Sequence, residues 1–175
     1  IIPILGLVRP TIPGVAFNET RLKLHEVQSV VRKARAGAAG GPNRVTYAVY
    51  KECPGITKWL WKILARVWDE GDIPKSWCVA DGIFTPKELD STSVNQFRPI
   101  SLLNVEGKVF FSVLARRLKN FLQANGYVDS SIQKAGIPGF PGCLEHVSCI
   151  WAKIIGAKND KSNLHVVCLD LANAY

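Results

Sequence analysis

The amino-acid sequence predicts an α+β fold, because several helical patterns are combined with a few strand-like runs. Four stretches place apolar residues at the three- and four-residue spacing of one helix face. Two short apolar runs, at residues 78–86 and 165–169, are bounded by turn residues, as strands commonly are. The chain of 175 residues is 47% hydrophobic and 21% charged, which is ordinary for a globular protein with a real core.

The first predicted segment, residues 1–34, is an N-terminal extension that ends in a basic helix. Prolines at positions 3, 10 and 13 indicate that residues 1–17 form an extended arm. Asn18 or Thr20 is expected to cap the helix that follows. The helix has apolar residues at helical spacing: Leu24, Val27, Val30, Val31 and Ala34. Three basic residues end its outer face: Arg32, Lys33 and Arg35.

The second predicted segment, residues 35–163, opens with a glycine-rich loop at 37–42. A helix is expected after Pro54, with apolar residues alternately three and one apart. These residues are Ile56, Trp59, Leu60, Ile63, Leu64, Val67 and Trp68. Gly71 is expected to end this helix, shortly before the strand-like run.

The strand at residues 78–86 leads into a turn at 89–95, and a long helix is expected after Asn104, ending before Gly126. A Gly/Pro-rich segment at 135–142 precedes a further helix. Its apolar positions are Leu144, Val147, Ile150, Trp151, Ile154 and Ile155. The third predicted segment, residues 164–175, begins with a buried strand.

Charge and cysteine content restrict the functional class. The net charge of +8 favours a polyanionic partner, and residues 21–75 hold eleven Lys/Arg against five Asp/Glu. The five cysteines form no CxxC pair, which predicts free, buried thiols in a reducing compartment. We therefore expect an intracellular protein of the nucleus or cytoplasm that is neither secreted nor membrane-bound. The absence of Met indicates a piece of a longer protein.

A few polar residues stand where chemistry is possible. Asp170 follows the last apolar run, so it is either a metal ligand or a hydrogen-bonded aspartate at a strand end. Lys87 ends one strand and Arg98 precedes another short apolar run, so the two cations lie on a strand–turn–strand unit. They either clamp a triphosphate or are solvated surface charges. Gln133 precedes the glycine-rich segment, which either approaches a ligand closely or merely connects two elements. The three histidines show no metal-ligand spacing.

Five sequence blocks in order resemble a known family. They are KARAGAAGGPNRVTYAVYKECP, WDEGDIPKSWCVADGIFTPKE, NQFRPISLLNVEGKVFFSVLARRLKNFL, SIQKAGIPGFPGCLEHV and VVCLDLANAY. Over residues 26–175 the chain resembles the reverse transcriptase of non-long-terminal-repeat retrotransposons, the long interspersed elements. The resemblance implies a right-hand polymerase fold, with the fingers over residues 35–163 and the start of the palm over residues 164–175.

The resemblance also implies roles for individual residues. Asp170 would be a catalytic aspartate that binds two Mg²⁺ ions, joined by the backbone carbonyl of Leu171. Lys87 and Arg98 would bind the incoming triphosphate, and Tyr175 would exclude a ribonucleotide 2′-hydroxyl. Gln133 would lie near the template strand, and phosphate contacts are expected for the basic helix residues Arg32, Lys33 and Arg35.

This assignment predicts that the parent enzyme copies an RNA template into DNA from a DNA primer and deoxynucleoside triphosphates. The chain alone is expected to be inactive, because one aspartate does not complete a two-metal site. The alternatives are a non-catalytic, basic nucleic-acid-binding module and a structural domain that is merely basic. One loop departs from the family, which commonly has proline, glycine and proline where this chain has Gly40, Arg44 and Thr46.

Overall fold

The computed structural model describes residues 12–129 and 142–169. The chain divides into two compact units, one up to Asn125 and one from Gly126. Within the described ranges, helices are combined with one two-stranded antiparallel sheet. The first unit contains α1 (Leu24–Lys33), α2 (Tyr47–Glu52), α3 (Pro54–Glu70), β1 (Ala80–Pro86), β2 (Phe97–Leu103) and α4 (Val105–Ala124), and the second contains α5 (Cys143–Asn159). The architecture is therefore α+β in the part described, whereas the polymerase fold and its segment boundaries stay predictions.

Three helices, α1, α3 and α4, form the core of the first unit. Their largest fully buried side chains are Val27, Leu60, Leu64, Val105, Val109 and Val113. Burying one such side chain contributes about 1.5–3 kcal/mol, so this cluster is the main source of stability in the unit. The segment before residue 35 and the segment after it share this one core.

The helix predicted after Pro54 is confirmed as α3, and Gly71 ends it in the left-handed conformation. The residues of α3 that are buried are not all those that the apolar spacing predicted. Thr57 is buried, whereas Trp59 is 64% and Ile63 51% exposed. The apolar face predicted for α3 is wider than the surface that α3 buries against its neighbours, so some of its apolar side chains face solvent.

The beginning of α1 differs from the prediction. The helix begins at Leu24, and the carboxylate of Glu26 accepts the N–H of Lys23 at 2.8 Å, which satisfies a donor at the helix start. Asn18 and Thr20 are therefore not the cap; their side chains hydrogen-bond each other at 2.7 Å. The chain before the helix is held by another residue, Arg117.

Arg117 is a buried cation that fastens this chain segment to α4. Its guanidinium donates to the carbonyls of Asn18 and Thr20 and to both carboxylate oxygens of Glu26, at 2.9 and 2.7 Å. It also lies over the ring of Trp68, 5.0 Å from the ring centroid. A charge can be buried when several partners interact with it, but removing one of those partners strongly lowers the stability of the fold.

The second unit contains α5, and its apolar side chains are largely exposed. The helix predicted after the Gly/Pro-rich segment is confirmed, but Val147 is 61% and Trp151 63% exposed. The strand predicted from residue 164 is not formed over the described residues 164–169, where Val167 is 80% exposed. A strand requires a hydrogen-bonded neighbour, and no strand of the described residues pairs with this segment.

The cysteine prediction is half right. The four cysteines whose side chains are described are free thiols: Cys53, Cys78, Cys149 and Cys168. All four are exposed, so the prediction of buried thiols is wrong for them. Cys53 and Cys78 lie at junctions between elements, Cys149 lies on α5, whose side chains are largely exposed, and Cys168 lies in an unpaired segment. Among the described residues, no helix combines the length and apolar character needed to cross a membrane.

Candidate nucleic-acid interface

The hairpin of β1 and β2 places Lys87 and Arg98 on one face. Thr85 is directly opposite Arg98 in the antiparallel register, so their side chains lie on the same side. Lys87 comes two residues after Thr85, and its N–H donates to the carbonyl of Gln96 at 2.7 Å, which continues the ladder. Lys87 and Arg98 are therefore diagonal neighbours, with Cβ atoms about 7–8 Å apart at most.

We call this side of the hairpin the cation face. Its other members alternate along the two strands: Asp81, Ile83, Thr85, Ile100 and Leu102. The opposite side presents Phe84 and Phe97 beside Val94, which line an apolar cavity of about 220 Å³. The hairpin thus separates a charged face from an aromatic one.

The two cations are available to an anion. Both side chains are exposed, and no carboxylate of the described residues forms an ion pair with either. The ammonium of Lys87 donates to the carbonyl of Asn95 at 2.8 Å, which turns it back toward the hairpin. An ammonium has three donors, so two remain for a ligand.

The turn between the strands is ordered by its own polar side chains. The side-chain oxygen of Gln96 accepts the N–H groups of Thr92 and Ser93, both at 2.9 Å. The hydroxyl of Ser91 donates to the carbonyl of Glu88 at 2.8 Å. Because these bonds satisfy the backbone locally, the turn holds Lys87 in position without help from the core.

The loop of residues 39–46 lies against the base of the hairpin. Gly41 is buried so closely against the end of β2 that an added Cβ would stand 2.3 Å from the carbonyl carbon of Leu103. The N–H of Asn43 donates to the side chain of Asn104 at 3.1 Å, and Asn104 donates to the carbonyl of Ser76 at 2.9 Å. Only glycine permits this approach, so the loop position is fixed relative to β2 and α4.

Glu106 completes this polar network at the start of α4. Its carboxylate accepts the side-chain amide of Asn43 at 3.1 and 3.2 Å and the phenol of Tyr50. Burial, together with the carboxylate of Glu106, raises the pKa of Tyr50 well above its usual range. The phenol therefore stays protonated and continues to donate, which ties α2 to the same loop.

The basic residues at the end of α1 form a separate group. Arg32, Lys33 and Arg35 are all exposed, and the ammonium of Lys51 donates to the carbonyl of Arg32 at 3.0 Å. Arg32, Lys51 and Tyr50 line a cavity of about 500 Å³ between α1, α2 and α3. These cations belong to elements other than the hairpin, so they form a group separate from Lys87 and Arg98.

The remaining residues implicated by the sequence lie outside the described residues. These are Gln133, Asp170, Leu171 and Tyr175. Within the described ranges, no group of three or more His, Cys, Asp or Glu side chains is placed to hold a metal ion. The structure thus brings Lys87 and Arg98 together, whereas the roles of Gln133, Asp170, Leu171 and Tyr175 stay predictions from the sequence.

Sequence reasoning missed the network of Asn43, Asn104 and Glu106. One signal was present, because Asn104 stands at the position that caps a helix and Glu106 lies in the first turn. Nothing in the sequence indicated that the Asn104 side chain would bind a loop 61 residues away rather than its own helix.

Comparison with known proteins gives one informative similarity. No family model matches the chain. Over 93 residues, 53% of its length, the chain is 33% identical to the retrovirus-related Pol polyprotein from type-1 retrotransposable element R2 of Bradysia coprophila. The matched region amounts to 10% of that polyprotein. The similarity relates this chain to a retrotransposon polyprotein and indicates a retrotransposon-related origin.

Proposed function

We propose that the chain is part of an RNA-directed DNA polymerase of a retrotransposon, and that its hairpin binds the triphosphate of the incoming nucleotide. The observation behind the proposal is the cation face, where Lys87 and Arg98 are diagonal neighbours without ion-pair partners among the described residues. The similarity to a retrotransposon Pol polyprotein supports the retrotransposon origin in this proposal.

The two cations suit different parts of a triphosphate. The guanidinium of Arg98 presents a planar fork that binds two oxygens of one phosphate, whereas the ammonium of Lys87 acts as a compact point charge. Their separation of about 7–8 Å at Cβ lets two long side chains converge on neighbouring phosphates. The ordered turn keeps this geometry in the absence of nucleotide, which lowers the entropic cost of binding.

Phosphates of the template are the proposed ligands of the second cation group. Arg32, Lys33 and Arg35 would contact the backbone of RNA without regard to sequence, with Gln133 nearer to the template. The cavity beside Arg32 adds Lys51 to this group. The proposed partners are therefore an RNA template, a DNA primer and deoxynucleoside triphosphates.

Metal binding in this proposal depends on Asp170 and the carbonyl of Leu171. A carboxylate and a carbonyl are the hard oxygen ligands that Mg²⁺ prefers, so the donor set fits the ion. When bound, Mg²⁺ would favour ionisation of the primer hydroxyl and stabilise the leaving pyrophosphate. Tyr175 is the proposed residue that excludes a ribonucleotide.

Titration of the ¹⁵N-labelled chain with dATP, followed by NMR, tests the proposal. We expect the largest amide shifts in residues 85–98, and we expect Lys87→Ala and Arg98→Ala each to weaken binding about tenfold. Lys58→Ala is the matched control, because Lys58 is exposed on α3 and away from the hairpin. Shifts that avoid the hairpin, with unchanged affinity in both variants, would contradict the proposal. Salt-dependent RNA binding without any nucleotide effect would instead favour a non-catalytic nucleic-acid-binding module.

A further inference from the structure

A cavity at the base of the cation face combines a cation, a carboxylate and apolar side chains. Its volume is about 590 Å³, and its lining includes Gly40, Arg44, Thr46, Asp81, Ile83 and Leu102. Asp81, Ile83 and Leu102 belong to the cation face by the strand register. The cavity is thus the lower end of the same surface that carries Lys87 and Arg98.

Arg44 occupies a backbone position that suits glycine. Its φ is 60°, in the left-handed region that is unfavourable for a long side chain. The turn is nevertheless well held, since the N–H of Arg44 donates to the carbonyl of Gly41 at 2.8 Å and the N–H of Val45 to the side chain of Asn43 at 3.1 Å. An arginine in this conformation lowers stability relative to glycine, and strain of this kind points to a role for the side chain.

The charged groups of the cavity are available to a ligand. In the part of the chain that the structure describes, neither the guanidinium of Arg44 nor the carboxylate of Asp81 forms a hydrogen bond or an ion pair. The two side chains line one cavity with opposite charge. A ligand that satisfies both must present an anion and a hydrogen-bond donor close together.

Single-stranded RNA presents this pair of groups in every nucleotide. Its phosphate accepts from a guanidinium, and its ribose 2′-hydroxyl donates to a carboxylate. DNA offers the phosphate but no donor at that carbon, so its backbone would meet the negative charge of Asp81 without compensation. Ile83 and Ile100, each 45% exposed, supply an apolar floor on the same face for the sugar and base.

The path from this cavity to Arg98 is short. Arg98 is opposite Thr85, two residues along the strand from Ile83, which corresponds to about 7 Å. A strand of nucleic acid held at Arg44 therefore lies next to the nucleotide held at Arg98. Its position beside the proposed triphosphate site suits a template strand.

We infer that the cavity between loop 39–46 and the hairpin binds the ribose-phosphate backbone of single-stranded RNA, with Arg44 on a phosphate and Asp81 on the 2′-hydroxyl. The inference rests on the proposed function and deepens it, because it assigns the discrimination between RNA and DNA to one carboxylate. Arg44 replaces the glycine of the resembling family, so the phosphate contact is a property of this chain.

Fluorescence anisotropy of the whole 175-residue chain with a labelled single-stranded oligoribonucleotide and its DNA counterpart tests the inference. Asp81→Ala should reduce the ratio of RNA to DNA affinity about threefold to tenfold. The ratio is the informative quantity, because removing a negative charge strengthens binding of both strands.

Arg44→Gly separates binding from folding. Glycine relieves the left-handed backbone, so the melting temperature should stay constant or rise while RNA affinity falls about tenfold. The slope of log affinity against log salt should become shallower by about 0.7. Arg66→Ala, which removes one exposed charge from α3, is the matched control and should leave RNA affinity within about twofold of the wild type.

Different results would contradict the RNA contact and the proposed function. Wild-type binding of RNA with normal salt dependence, together with an unchanged ratio in Asp81→Ala and unchanged affinity in Arg44→Gly, overturns this inference and leaves the proposed function standing. A wild-type chain that binds RNA without salt dependence, or does not bind it, contradicts both.

Discussion

The first unit has a buried apolar core, whereas the apolar side chains of α5 in the second unit are largely exposed. Helices α3 and α5 each have 17 residues and similar apolar spacing. Leu64 of α3 has no exposed surface, but Trp151 of α5 is 63% exposed. The apolar spacing marks both helices in the sequence, but it does not determine how much of each helix is buried, which depends on packing partners. Among the described residues, the buried core that stabilises the fold therefore lies in residues 12–125.

The largest expected effect concerns the buried ion pair of the first unit. Arg117→Ala leaves the Glu26 carboxylate and two carbonyls without their donor, which should lower the free energy of unfolding by about 3–5 kcal/mol. Chemical denaturation followed by circular dichroism measures this change. Arg66→Ala breaks an exposed pair with Glu70 and should change stability by less than about 0.5 kcal/mol. Equal effects of the two substitutions would contradict the structural role of Arg117.

Two substitutions, one at a buried position and one at an exposed position, test the two units directly. Leu64→Ala should lower the free energy of unfolding by about 2–5 kcal/mol, because it leaves a cavity among fully buried neighbours. Val147→Ala removes methyl groups from an exposed position on α5 and should change it by about 0.5 kcal/mol or less. A loss above about 1.5 kcal/mol in Val147→Ala would show that the α5 face is covered in solution.

The smallest expected effect is the acid sensitivity of the first unit. Burial alone raises the pKa of Glu26, but the hydrogen bonds and charge of Arg117 and the N–H of Lys23 outweigh it and hold the pKa below the ordinary value of 4.5. A carboxyl with a lowered folded pKa stabilises the fold above its unfolded pKa and loses that contribution as the pH falls below it.

The melting temperature between pH 6 and pH 3 measures this effect. We expect it to fall more steeply in the wild type than in Glu26→Gln, which has no carboxyl to protonate. The variant should also be less stable at neutral pH, where the wild-type ion pair is intact. Parallel curves for the two proteins would exclude Glu26 as a source of the acid sensitivity.

Sequence patterns predicted the elements that depend on local spacing. The helix after Asn104 and the strand before Lys87 are confirmed, because apolar periodicity and turn residues define them locally. The burial of Arg117 could not be predicted, since its contact with Glu26 joins residues 91 positions apart along the chain. The contact of Glu26 with Lys23 at the start of α1 is local, but the polar residues Asn18 and Thr20 were the more obvious caps in the sequence. The strand predicted at 165–169 failed over its described residues, because an apolar run does not supply a pairing partner.

The candidate site, like the fold, was predicted from the sequence only in part. The pairing of Lys87 with Arg98 was expected from a strand–turn–strand pattern, and the register now explains why they share a face. The approach of loop 39–46 was not expected, because it depends on the buried amide of Asn104 and the missing Cβ of Gly41. Two cations were therefore predictable, and the third, Arg44, was found only through its backbone conformation.

The proposed function requires Lys87 and Arg98 to bind neighbouring phosphates of one nucleotide. Titration of the wild-type chain and of the Lys87→Ala, Arg98→Ala double variant with dAMP, dADP and dATP tests this requirement. We expect wild-type affinity to rise with each added phosphate, and the double variant to bind all three nucleotides equally weakly. A wild-type chain with the same affinity for dAMP and dATP would contradict it.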